Sequence, residues 1–190
     1  MSAFFGVIAA LLMLAVPIPY IRSILRGKTV PSKMSWWIWT LVGVLNARSF
    51  EGAGGNVGRG LAWAIPVGTF VVAIVSLRRG RFNPGPLDWI CLGCALVLSA
   101  AYLSGLSPML ALVGGLSIDL LAFVPTVVKA RKDPESEDPL AWFLVGASGV
   151  VALLGSLVAK ASLADYVFPL YFVGQSATIQ VLFFRRHHRS

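Results

Sequence analysis

The sequence has few charges and fewer of the residues that do covalent or metal chemistry. Only 13% of its 190 residues are charged, about half the share of an ordinary soluble domain. A soluble fold of this length leaves much of its surface in water. A chain that is 57% hydrophobic, with a mean hydropathy of +0.79, has too little polar surface for that. The two cysteines, Cys91 and Cys94, stand together in an apolar run. They imply no disulfide framework, and with no second ligand pair nearby their CxxC spacing points to packing. Both histidines, His187 and His188, belong to the basic tail, where solvated side chains are expected before metal ligands. No nucleophile, base and acid stand in a catalytic pattern. The sequence therefore predicts no enzyme, no cofactor and no metal site.

What is present is membrane-like. A bilayer core about 30 Å thick is crossed by a helix of roughly 20 apolar residues. Apolar runs separated by charge or by Gly and Pro clusters place seven helices at 2–25, 35–51, 60–77, 87–105, 108–128, 139–159 and 164–184. The second and third are weakly bounded, because Arg48, Glu51 and the glycines of 52–60 blur their junction. Five or six spans is the rival count. That loop matches no dinucleotide fingerprint and reads as flexible.

The net charge of +8 lies in short clusters between apolar runs, as topology signals do, so nucleic acid is not an expected partner. No basic residue precedes the first run, and Arg22, Arg26 and Lys28 follow it. That order suits a retained span with its N-terminus outside. With seven alternating spans, thirteen of the sixteen Lys and Arg fall inside, and only Arg48, Arg59 and Lys160 fall outside. The expected setting is a bacterial inner membrane, with the C-terminus cytoplasmic and the run from Arg185 to Arg189 an inner anchor.

The two halves share a pattern. Pro19 precedes Trp36 by 17 residues, and Pro125 precedes Trp142 by 17. A basic loop lies within each interval. Trp63-x-x-Pro66 and Tyr166-x-x-Pro169 open the third and seventh helices, which end in Arg78-Arg79 and Arg185-Arg186. The expected organisation is all-α, 3+1+3. Residues 1–82 and 107–190 form two parallel three-helix repeats, and 83–106 form a linker helix.

On these features the chain resembles the PQ-loop group, which includes the SWEET sugar transporters (MtN3-type). The stretches concerned are Val16-Pro-Ile-Pro-Tyr-Ile-Arg22 and Phe123-Val-Pro-Thr-Val-Val-Lys129. The Pro-Gln pair of that group is Pro19-Tyr20 in one and Pro125-Thr126 in the other, so the resemblance implies the fold more firmly than the solute. Bacterial vitamin-precursor transporters look similar in plan. The resemblance implies a carrier for a small polar solute, sugar-like or vitamin-precursor-like, working by alternating access. A non-transporting receptor or accessory protein of the same fold is the alternative. The lipid bilayer is the other partner, and a homo-oligomer is left open.

Candidate site residues follow from polarity in apolar runs. Asp119 lies eleven residues into the fifth helix, roughly 16 Å along it and near mid-bilayer. A carboxylate there is costly unless paired, wetted or protonated. Gly115, Asp119, Ala122 and Thr126 share one helix face, expected to line a wet cavity. Asp119 could hold a cationic part of the solute or load a proton, since burial penalises the charged form of an acid. The structural alternative is a bond to Arg48 or Asn46. Asn46 and Gln175 need partners in a dry core. Gln175 shares a face with Tyr171 and Thr178. Trp36 and Trp142 offer aromatic faces to a polar ring, although Trp36, Trp37 and Trp39 also suit interface anchoring. Pro19, Pro125, Pro66 and Pro169 are candidate hinges. Pro19 and Pro125 would free the carbonyls of Ala15 and Leu121.

Overall fold

In a computed structural model, the protein is described over residues 1–133, 137–159 and 161–187, with side chains through 184. Lys160 and the side chains of the basic tail lie outside that description, so the proposed inner anchor and the second arginine pair do too. The described residues are helical, joined by short turns: α1 (Ser2–Ala15), α2 (Pro17–Leu25), α3 (Lys33–Gly52), α4 (Arg59–Arg79), α5 (Pro86–Leu103), α6 (Pro108–Lys132), α7 (Pro139–Ala159) and α8 (Leu163–His187).

Local chemistry sets these boundaries. Ser32 and Ser107 accept the amides of Ser35 and Leu110, each at 3.3 Å, and so cap α3 and α6. Asp138 accepts the Ala141 amide at 2.9 Å, with Pro139 in the first turn of α7. The first span, 2–25, is one apolar stretch in two pieces. Its break falls at Val16–Pro17 rather than at Pro19. Pro17 takes the first position of α2, and the Val16 amide turns back to Met13 O at 3.1 Å. Pro19 sits in the first turn of α2, where a missing N–H costs nothing. Pro66, Pro125 and Pro169 lie inside unbroken helices.

Six helices are long and apolar enough to cross a membrane: 2–25, α4, α5, α6, α7 and 163–184 of α8. α3, with Lys33, Asn46, Arg48 and Glu51, is the helix the seven-span reading counts in addition. It packs against α4, α5, α6 and α8, so protein covers much of it and it needs less apolar surface.

The residues are distributed inside out. Large apolar side chains such as Phe4, Leu11, Phe70, Trp89, Val97 and Leu157 face outward, while the buried core is rich in alanine: Ala9, Ala47, Ala62, Ala73, Ala111 and Ala152. Small interior residues let membrane helices approach closely. α4 packs against both α1 and α3, and α8 packs against both α7 and α6. Between these groups, α1 packs on α7 and α3 on α6, while α5 lies against α6 and α3. Pro66 of α4 presses on Gly43 of α3, where a Cβ would come 3.3 Å from the proline Cα. Pro169 of α8 meets Gly149 of α7 in the same way, its carbonyl 2.8 Å from where a Cβ would lie.

One end of the bundle gathers the start of α1, the α3–α4 loop, the start of α6 and the junction of α7 and α8. There Gly6 abuts Val57, Gly52 abuts Pro108, and Gly155 abuts Phe5. The other end gathers the α2–α3, α4–α5 and α6–α7 connections, where the Arg81 amide donates to Pro31 O at 3.0 Å and the Lys33 amide to Arg81 O at 2.9 Å. α1–α2 and α6 therefore run in the same direction.

A Cβ on Gly6 would sit 2.5 Å from the Val57 carbonyl oxygen, and backbone cannot swing aside. Gly6→Val is expected to lower stability by about 1–3 kcal/mol through overpacking. Gly93 has nothing within 4 Å of such an atom, so Gly93→Val is expected to be tolerated. Unfolding in detergent measures both. Equal midpoints would contradict this packing.

Candidate functional site

The helices enclose a cavity of about 290 Å³ bounded by α1–α2, α3, α4, α6, α7 and α8. Its wall is mostly apolar. It extends from Met13, Ala64 and Phe172 to Val30, Ser32, Lys129 and Glu137, which belong to the end holding the α2–α3 and α6–α7 connections. Beyond its floor lies a packed apolar layer. Phe50 and Phe168 have ring centroids 5.1 Å apart, and Leu61, Leu112 and Ala164 are fully buried around them.

Lining positions recur at a spacing that is constant within each helix pair. Met13, Val16, Pro17 and Tyr20 stand 106 residues before Asp119, Ala122, Phe123 and Thr126, and all eight line the cavity. Ser35, Trp36 and Trp39 of α3 stand 106 before Ala141, Trp142 and Val145 of α7, again all in the wall. Thr69 and Val72 of α4 stand 103 before Phe172 and Gln175 of α8.

Asp119 is on this wall. Its Oδ2 accepts from the Tyr171 hydroxyl and from Gln175 Nε2 at 2.9 Å, and Gln175 Nε2 also donates to the Tyr171 oxygen at 2.7 Å. Oδ1 accepts no hydrogen bond among the described residues. α8 carries Tyr171 and Gln175 one turn apart on one face, so a single helix holds the acid from two points. Arg48 and Asn46 do not pair with it. Arg48 binds Glu51 at 3.4 Å near the end of α3, where Glu51 also takes Arg59 at 3.3 Å and Trp63 Nε1 at 3.1 Å.

The expected residues divide. Asp119, Thr126, Gln175, Trp36 and Trp142 converge on the cavity, and so does Pro125. Asn46 does not. It is 3% exposed, its Oδ1 has no hydrogen-bond partner among the described residues, and it fills the space opposite Gly115, where a Cβ would collide with its amide. Gly115 thus serves the α3–α6 contact, while Asp119, Ala122 and Thr126 of the same face reach the cavity. Thr178 turns away and bonds to Gly174 O at 2.9 Å. Of the three tryptophans suited to interface anchoring, Trp37 faces outward, whereas on the cavity wall Trp36 packs tilted against Tyr20 and edge-on against Trp39. Cys91 is buried beside Met34, Ile38 and Val42, as packing requires, and Cys94 is exposed.

Two loops differ from expectation. The acidic–basic loop after α6 reads as solvated, yet Glu137 is 5% exposed, held by Lys129 at 2.6 Å and by Trp142 Nε1 at 3.2 Å at the cavity mouth. The glycine-rich loop 52–60 reads as flexible, yet the buried Asp165 carboxylate binds it. Asp165 accepts the Asn56 amide at 3.1 Å and the Gly58 amide at 3.0 Å, and its Oδ2 accepts the Ser162 hydroxyl at 2.9 Å. Sequence reasoning passed over Asp165. The one local signal was Ser162-x-x-Asp165, the spacing of a helix-capping pair; the partner loop lies more than 100 residues away.

The chain matches no family model, no curated protein and no solved structure.

Proposed function

We propose that the protein is a multi-pass carrier that moves a small polar solute by alternating access through this cavity. The carrying observation is the repeat in its walls, at a spacing constant within each helix pair. Nine positions in α1–α4 have counterparts at the same register in α6–α8, and each pair flanks one central space. That is the arrangement expected of two parallel three-helix units with α5 as the linker, related by an axis along the membrane normal. The exchanged packing of α1 on α7 and α3 on α6, and the matched Pro66–Gly43 and Pro169–Gly149 contacts, support the same reading. So does the resemblance to the PQ-loop group. In this reading α3 is the seventh span.

A cavity of about 290 Å³ with an apolar wall and a few convergent polar groups suits one small ligand. In this reading the positive-inside bias of the basic clusters favours a mouth on the cytoplasmic side and an N-terminus outside. The packed end closed by Asp165 is then the outer gate, and the molecule is open inward. The non-transporting alternative draws on Asn46, which serves packing and leaves the cavity.

The test is uptake of a panel of labelled neutral and charged polar solutes into liposomes holding the purified chain. Saturable uptake of at least one solute is expected. A folded protein that moves none of them would end the carrier reading.

A further inference from the structure

Glu137 stands at the cavity mouth, but deep in the wall Asp119 is alone, with no described cation at its depth to balance it. The position matched to Asp119 in the first unit is Met13, so the carboxylate is not duplicated. Among the described residues, the elements packed on α6 bring no cation to it. On α3, Lys33 stands at one end and Arg48, paired with Glu51, at the other. On α5, the titratable groups are Asp88 at its start, the thiols Cys91 and Cys94, and Tyr102 at its far end, whose hydroxyl donates to Arg48 O. On α8, among the described side chains, they are Asp165 at its start, then Tyr166 and Tyr171, of which Tyr171 donates to the acid. Across the cavity stands Tyr20, and at the mouth Lys129 is engaged by Glu137. Asp119 makes no salt bridge among the described residues, and its Oδ1 is left without a donor.

An alternating carrier passes through a closed, drier state, in which an unbalanced carboxylate is strongly disfavoured. Among the described residues no group of three or more His, Cys, Asp or Glu stands there to hold a divalent ion. We infer that Asp119 takes up one positive charge at Oδ1 in each loaded cycle. The charge is a proton when the solute is neutral, or the cationic group of the solute itself. A proton comes from water in the open cavity, binds Oδ1, and returns to water on the far side, so one proton accompanies each neutral solute. Tyr171 and Gln175 hold Oδ2 and keep Oδ1 turned to the cavity. This inference rests on the carrier reading.

Two measurements test it. In liposomes carrying a pH-sensitive dye inside, uptake of neutral polar solutes is expected to acidify the interior. In Asp119→Asn, neutral uptake should lose both its proton flow and its pH dependence, and uptake of organic ammonium solutes should fall by about tenfold or more. Asp119→Glu, which keeps the carboxyl, controls for folding. Uptake of neutral solutes without proton flow and without any preference for cations would overturn the inference while leaving the carrier intact. Absence of all uptake would sink the carrier reading instead. Infrared titration of the purified protein addresses Asp119 alone. A carboxylic C=O band that grows on acidification and is missing from Asp119→Asn is expected. No such band at any pH, or one that never changes with pH, would overturn the inference.

Discussion

Replacing Asp165 with alanine is expected to loosen the closed end of the bundle and to cost more stability than any other single polar change. Asp165 is 1% exposed, and its carboxylate accepts two backbone amides from a loop more than 100 residues away in sequence. Alanine removes both acceptor oxygens and leaves the Asn56 and Gly58 amides without them. A buried donor left unpaired costs about 1–3 kcal/mol, and two are orphaned together. The loop's own backbone bonds, such as the Gly55 amide to Phe50 O at 2.9 Å, do not serve the Asn56 and Gly58 amides. The unfolding midpoint in detergent should fall. A cysteine placed at Val57, in a Cys94→Ser background, should react about tenfold faster with a membrane-impermeant thiol reagent as this end opens. Asp165→Asn keeps one acceptor oxygen and should fall between. An unchanged midpoint together with unchanged labelling would show that the carboxylate does not hold this end shut.

Filling the cavity is expected to abolish uptake without unfolding the protein. Ala122 lies on the wall one turn beyond Asp119, and Val16 is its matched position across the space. A tryptophan there would take up much of the roughly 290 Å³. It enters an existing void, so little overpacking strain arises. Transport should drop by about tenfold or more, because the solute and the indole compete for one space. Leu120→Trp, on the outward face of the same helix and 52% exposed, should transport normally. Normal uptake by Ala122→Trp would mean that the solute does not pass through this cavity.

Asp119 could be found from the sequence because polarity inside an apolar run stands out whatever the fold. Gln175 and Tyr171 stood out for the same reason, and helical spacing put them on one face. Asn46 had the same signal and a different fate. Polarity says that a side chain needs company, not which company. At Asn46 the company is the missing side chain of Gly115. The helix break also moved, from Pro19 to Pro17, because of two nearby prolines the first to stand after a full helix meets an unbonded carbonyl, while the next falls in a first turn that needs no donor. Trp36 and Trp39 look like interface anchors one residue at a time. Their place in the wall depends on how α3 is rotated, and its neighbours set that rotation.

By itself the sequence determined that the chain is a multi-pass bundle of apolar helices, where most of those helices start and stop, and that one acid lies deep in one of them. These are short-range properties of hydropathy, capping and proline chemistry. The tertiary structure alone decided that this acid is held by Tyr171 and Gln175, that Glu137 and Asp165 are buried, and that the matched positions of the two halves surround one space. Each of those outcomes depends on which faces of distant helices meet, and close packing of small residues settles that only when every helix is in place.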